Sequence, residues 1–233
     1  MPFELFVMAD TPTQGHVNES LHSVLSEKQA TDLYKAFVED TLTGYLTASK
    51  LLSASPGLAR QRQVRVHLAC YPDCNHEFFQ NLAHRTQVVL IDQGKGEKGE
   101  RIYRLQRKAF SRGALAVLNA EVSSPALSQG ALLNALDAMD RTGFVLGPTD
   151  HGGLYLWGCL RMEGEMLQDI PWGTSKVAEI FRTRLRNAEQ EFEQLPEFWS
   201  IVQPDDLIRL KRLLSVEPGR APATARVIRA IER

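Results

Sequence analysis

The chain has 233 residues, a formal net charge of −1, 43% hydrophobic and 24% charged residues. That balance fits a globular protein with a sizeable core, and it excludes a bulk field that would recruit nucleic acid or an anionic membrane surface. Three cysteines argue against a disulfide framework. No run of about 18 apolar residues offers a membrane span, and the first apolar run, Leu5 to Ala9, is too short for a signal peptide. The expectation is a soluble cytoplasmic protein with no nucleic-acid and no membrane partner.

Phe3 to Ala9 predicts a first strand. The polar loop after it contains Pro12 and Gly15, and such a loop after the first strand of an α/β protein is where nucleotides often sit. Ser26 and Gln29 form a capping box for a long helix, with Ala30, Leu33 and Phe37 on one stripe, ending before Pro56-Gly57. Val64 to Cys70 predicts a second strand, Asn75 to Ala83 a short helix, and Val88 to Ile91 a third strand, short and apolar as inside a parallel sheet. Ile102, Leu105, Ala109 and Phe110 mark another helix, and Ala114 to Ala120 a fourth strand that ends in the loop EVSSP. Ser128 is expected to cap a helix with Leu132, Leu133, Leu136 and Met139 inward.

Phe144 to Gly158 then reads as strand, loop, strand. Gly147-Pro148 is expected to break the first strand. Asp150, His151, Gly152 and Gly153 follow: an acid, an imidazole and two glycines that let a backbone approach a ligand closely. A tight Gly-rich turn with two solvated polar residues explains the same spacing. Beyond Gly158, Thr174 is expected to cap a helix to about residue 190, Phe192 to Leu195 form a short strand, and Pro204 open a helix through Leu214.

Strand and helix alternate from residue 3 to residue 147, which predicts a mostly parallel sheet covered on both faces, with ligands at the carboxyl ends of the strands. The loops around 10–20, 92–99, 121–125 and 147–153 are therefore expected to share one pocket. Residues 216–233 read as a linker and a short basic helix, with Ala225, Ile228 and Ile231 as an apolar stripe.

Several segments in this order resemble one family. They are MADTPTQGHVNESL, AFVEDTL, QGKGEKGER, SSPAL, GPTDHGGLYLWG, the segment at Ile170-Pro171-Trp172, and QPDDLIRL. The resemblance is to a bacterial transferase family, a domain of unknown function found with radical-SAM and selenoprotein clusters, in the nucleotide-diphospho-sugar transferase superfamily. It implies a glycosyltransferase-A fold, a three-layer α/β/α sandwich, over residues 1–215. It also implies glycosyl- or nucleotidyl-transfer assisted by Mg²⁺ or Mn²⁺.

The departures from that family are specific. The family carries cations in the first loop to neutralise phosphate, where this chain has Asn18-Glu19-Ser20-Leu21, with Asp10 in place of an earlier Lys. The family's metal-holding Asp, two residues before Pro, is Ser123. Its Asp-Gly-Gly is His151-Gly152-Gly153, and its late Asp-x-Asp-Thr is Ser200-Ile201-Val202-Gln203. Gly94, Gly99, Glu100 and Arg101 remain, but Glu97-Lys98 replaces Asp-Leu. Hard-oxygen metal chemistry and diphosphate stabilisation need the lost groups.

The residues therefore point to a pseudoenzyme or binding protein with no metal and no required cofactor; against that stand Asp150 and His151, a carboxylate and an imidazole of the kinds that suit a weak Mn²⁺ or Zn²⁺ site. The alternative is an active transferase with altered metal dependence, for which alone Mg²⁺ or Mn²⁺ would be needed. The expected catalytic pair is His151 and Asp150, and the expected cleft residues are Gly15, Asn18, Gln93, Gly94, Arg101, Ser123, Gly152 and Gly153. The ligand class is a nucleotide or a sugar, and assembly as a homodimer is compatible with it.

Three other constellations have simpler readings. His67, Cys70, Cys74 and His76 resemble a zinc cluster in composition, but fit no standard spacing. Ser123 and Ser124 lack a nucleophile-elbow pattern. Trp157, Trp172 and Trp199 suit core packing as well as a sugar-binding wall.

Overall fold

The computed structural model describes residues 2–54, 63–161 and 164–232; Pro56-Gly57 lies outside them. Seven strands run β1 (Phe3–Asp10), β2 (Val64–Tyr71), β3 (Val89–Asp92), β4 (Ala116–Ala120), β5 (Phe144–Pro148), β6 (Leu154–Cys159) and β7 (Glu193–Gln194). They form one sheet in the order β3-β2-β1-β4-β6-β5-β7. All pairings are parallel except the two made by β6, which runs antiparallel between β4 and β5. The strand order reverses between β1 and β4, and the crevice at such a point is where open α/β sheets bind ligands.

The helices are α1 (Glu27–Ala54), α2 (Glu77–Thr86), α3 (Lys98–Ser111), α4 (Gly130–Thr142), α5 (Val177–Asn187), α6 (Pro204–Val216) and α7 (Pro222–Ile231). Alternation along β1 assigns them to layers. Phe3, Leu5 and Val7 pack with residues of α1, α2 and α4 on one face. Phe6 and Met8 pack with α3 and α5 on the other. This is the three-layer sandwich. Beyond α1 lies a further apolar cluster, in which Leu33 and Phe37 meet Leu207, Leu210 and Leu214 of α6 and Ala225 and Ile228 of α7. Each such fully buried large side chain stabilises by about 1.5–3 kcal/mol relative to exposure.

Several element boundaries differ from the sequence reading. Ser26 and Gln29 do form reciprocal bonds ahead of α1, at 2.9 and 3.3 Å. The second helix starts later than Asn75, at Glu77, because His76 Nδ1 accepts the Phe78 amide proton at 3.2 Å. The helix assigned to a Ser128 cap begins at Gly130 and has no side-chain cap. Thr174 does not cap α5, which runs only from Val177 to Asn187. The Ala178 amide instead donates to the Gly152 carbonyl at 2.9 Å. Gly147-Pro148 does not break β5; the strand continues to Pro148 through a register shift against β6. A Cβ at Gly147 would stand 2.5 Å from the ring of Tyr155 on β6, so the bare glycine lets the ring lie flat on the strand. The closing basic helix, α7, is docked on the fold through buried Ala223, Ala225 and Ile228.

Candidate functional site

The cleft forms where β1 and β4 part. Asp10 ends β1, and Glu121 and Ser123 follow β4. Lys98, the first residue of α3, crosses between them: its Nζ lies 2.8 Å from Glu121 Oε1 and 5.6 Å over the Trp172 ring. Two adjoining cavities share Lys98, Glu121 and Ser123. The larger, about 270 Å³, continues along His151, Trp157, Trp172 and Ser200. The smaller, about 170 Å³, is bounded by Asp10, Tyr34 and Gln93. The Asp10 amide donates to the Tyr34 hydroxyl at 2.8 Å. Desolvation raises the Asp10 carboxyl above the usual carboxylate range, with Lys98 opposing that shift.

The opposite wall is the turn between β5 and β6. Thr149 closes it, its amide donating to the Gly153 carbonyl at 2.9 Å and its Oγ1 accepting from the Gly153 amide at 3.0 Å. Gly152 occupies φ +75°, and a Cβ there would collide with the Ser175 carbonyl. His151 Nε2 meets Asp206 Oδ2 at 2.9 Å. The same oxygen accepts the amides of Val202 at 3.0 Å and Gln203 at 2.7 Å, which makes Asp206 the inner member of the capping box of α6. Burial acts to raise the Asp206 carboxyl, but these amide donors and His151 outweigh it and hold the carboxyl below its ordinary value. Asp150 accepts the Ser200 amide at 3.1 Å and faces Arg209 Nη1 at 3.4 Å.

A further cation, Arg101, follows Lys98 on α3. Arg101 is buried; its Nη1 donates to Gln93 Oε1 at 2.6 Å and its guanidinium lies 3.5 Å from the Tyr71 ring centroid. Gln93 Nε2 in turn donates to the Ala69 carbonyl at 2.7 Å.

The structure brings Gln93, Ser123, His151 and Gly153 to the walls of these cavities. Gly152 shapes the same turn, and Asp150 stands beside His151 with its carboxylate turned to α6. Arg101 supports Gln93 and does not line either cavity. Gly15, Asn18 and Gly94 also lie outside the lining. Gly15 packs on the Glu27 carboxylate, Asn18 holds the start of α1 through a 3.2 Å bond to the Ala30 carbonyl, and Gly94 sits beneath Arg104. Glu19 lines neither cavity, so of the two acids expected to face phosphate only Asp10 stands at the cleft. Sequence reasoning missed Lys98–Glu121 as a pair and missed Asp206. The QPDD capping signature was a signal for Asp206, but nothing local marked its contact with His151. Among the described residues, His67, Cys70, Cys74 and His76 form no metal-spaced group; His67 pairs with Glu4 at 2.5 Å and His76 caps α2.

A mostly parallel sheet between helical layers, with its cleft at the strand reversal, is the architecture of the nucleotide-diphospho-sugar transferases. A structure described as a nucleotide-diphospho-sugar transferase from Desulfovibrio desulfuricans shares it over 99% of this chain and 95% of that one, with TM-score 0.81 and 22% identity. A cytidylyltransferase from Leptospira borgpetersenii follows over 100% and 94%, with TM-score 0.53 and 14% identity. A CMP:2-keto-3-deoxy-manno-octonic acid synthetase complexed with CTP matches over 93% and 100%, with TM-score 0.53 and 11% identity. No curated protein matches the sequence. Residues 56–174 match the family described as "Uncharacterized protein conserved in bacteria (DUF2064)", and the chain belongs to that family. Among the described residues no helix is long and apolar enough to cross a membrane.

The family resemblance read from the sequence implies a divalent ion held by a carboxylate at position 123. The residues present do not fit one there. Ser123 offers only a hydroxyl; of the two carboxylates on the same cavity, Glu121 is taken up by Lys98, and burial raises the Asp10 carboxyl above the usual range, which disfavours its ionised form.

Proposed function

We propose that this chain is a nucleotide-diphospho-sugar transferase-like protein that has lost metal-dependent nucleotide transfer and acts in the cytoplasm as a binding protein for a small, weakly charged ligand such as a sugar. One observation carries this reading: the cations at the cleft are already committed. Lys98 is paired with Glu121, and Arg101 is buried against Gln93 and Tyr71. Among the described residues lining the two cavities Lys98 is the one Lys or Arg, so a nucleoside diphosphate would meet Asp10 with that cation already paired and no metal-holding carboxylate at 123, and bringing like charges together in a partly dehydrated cleft costs free energy. The larger cavity, walled by two indoles and several hydroxyls, supports an uncharged polar occupant.

Calorimetry with UDP-glucose, GDP-mannose and CTP, each with and without Mn²⁺, tests this. The expected result is no micromolar binding, while free sugars raise the melting temperature. Micromolar, Mn²⁺-dependent nucleotide binding would return the chain to the active transferases. That second reading is favoured by one feature: the cavities at the strand reversal have not been filled by side chains.

A further inference from the structure

We propose that Asp150, His151 and Asp206 form a binding site for a divalent transition-metal ion, Zn²⁺ or Mn²⁺, on the wall of the cleft opposite Ser123. One ligand atom from each of the three residues lies within 4.8 Å of the other two. Nitrogen and oxygen ligands bind Zn²⁺ tetrahedrally at about 2.0–2.2 Å, so atoms sharing one ion stand roughly 3.4 Å apart. His151 Nε2 and Asp206 Oδ2 stand 2.9 Å apart and need to part by only about half an ångström to admit it. The ion takes the place of the proton these two atoms share, and Asp150 closes on it from the adjacent position in the turn.

The frame around the three residues is rigid. Asp206 is fixed by two backbone amides at the start of α6, a helix of 13 residues. His151 sits in a turn tied across by Thr149. Of the three residues His151 lines the larger cavity, and on the wall of that cavity the Trp157 indole, 1% exposed, has an N–H with no partner. A buried donor without an acceptor is costly, and a water, hydroxide or carboxylate held by an ion at His151 would bring acceptor atoms into that cavity.

The donor set also selects the ion. Imidazole with carboxylates suits Zn²⁺ and Mn²⁺, whereas Mg²⁺ favours an all-oxygen octahedron. Arg209 is the competitor. It faces Asp150 at 3.4 Å and its side chain is 58% exposed, while its guanidinium also lies 4.7 Å over the Trp199 ring, an attraction that competes with the ion for Asp150. The site goes beyond the proposed function and does not depend on it, because the ion is bound without nucleotide.

The test uses the full chain, stripped with chelator and titrated calorimetrically with ZnCl₂, MnCl₂ or MgCl₂ alone. One Zn²⁺ per chain is expected, with Mn²⁺ weaker and Mg²⁺ silent at the same concentration. His151→Ala should weaken Zn²⁺ at least about tenfold, and Arg209→Ala should strengthen it. His151 takes no part in a helix cap, and a thermal melt checks that its variant is folded. Cobalt substitution gives a second readout, a visible absorption band that His151→Ala abolishes. Absence of stoichiometric Zn²⁺ binding, or equal affinity in wild type and His151→Ala, overturns the site. Repeating the nucleotide titrations on the metal-loaded chain separates the two readings: nucleotide binding there would sink the proposed function and leave the metal site standing.

Discussion

Asp40, midway along α1, accepts the amide protons of Ala223 and Thr224 at 2.9 and 2.7 Å, and so caps the first turn of α7 from 183 and 184 residues away in the chain. The N-cap residue of α7, Ala221, provides no side-chain cap of its own. A carboxylate at this end also complements the helix dipole. Asp40→Ala should cost about 1–2 kcal/mol in urea unfolding, and Asp40→Asn, which keeps an acceptor, less. A neutral Asp40→Ala would mean that apolar contacts alone seat α7.

Asp206 sets a pH dependence on the acid side. Its carboxyl lies below the ordinary 3.8 in the fold. The unfolded chain therefore binds the proton more readily, and the stabilisation is present above that value and lost as pH falls through the folded one. Melting temperatures of the wild type should drop more steeply than those of Asp206→Asn between about pH 4 and pH 2. Parallel profiles would show that the two amide donors and His151 do not favour the ionised form.

The Lys98–Glu121 pair should be what silences nucleotide binding. Glu121→Gln leaves the Lys98 amine without its partner at the cleft, and CTP affinity should rise about tenfold, equivalent to about 1.4 kcal/mol. Adding Ser123→Asp should make that gain depend on Mn²⁺. Calorimetry on both variants decides, and an unchanged baseline in the double variant would place the loss elsewhere in the cleft.

Gly152 tests the turn that carries His151. Alanine there combines a left-handed backbone with a collision against the Ser175 carbonyl. Gly152→Ala should destabilise by about 2 kcal/mol or more, and the emission of Trp172, on the same cavity wall, should shift as the wall moves. A variant that unfolds at the wild-type denaturant midpoint would show that the turn yields freely.

Much of the fold was legible because apolar runs and breaks coincide with strands and loops. The Ser26–Gln29 capping box and the Pro204 helix start appear at the expected residues. The direction of β6 was not legible: Phe144–Pro148 and Leu154–Cys159 are buried at every position, so no alternation distinguishes one orientation from the other. Ser128 and Thr174 are good capping residues that do not cap; at α5 the Gly152 carbonyl takes the Ala178 amide that a local cap would otherwise serve. The site was half legible. His151, Gly153 and Ser123 share a cavity as expected of loops at strand ends, but Lys98 finds Glu121 and His151 finds Asp206 only through the topology, and local spacing cannot encode such meetings. Asn18 and Gly15 resembled ligand-loop residues because the residues that hold a loop against a helix start are of the same polar, turn-forming kind.

The contact between Gly147 and Tyr155 ties together the histories of two strands. The Tyr155 ring occupies the space where a side chain on β5 would stand, and its hydroxyl donates to the Pro196 carbonyl at 3.0 Å. Any side chain at 147 evicts the ring, and any small residue at 155 opens a void above the glycine and frees the segment after β7. Neither position can change first without loss, so relatives that depart from glycine at 147 should also have departed from tyrosine at 155, and the two columns of an alignment should move as one.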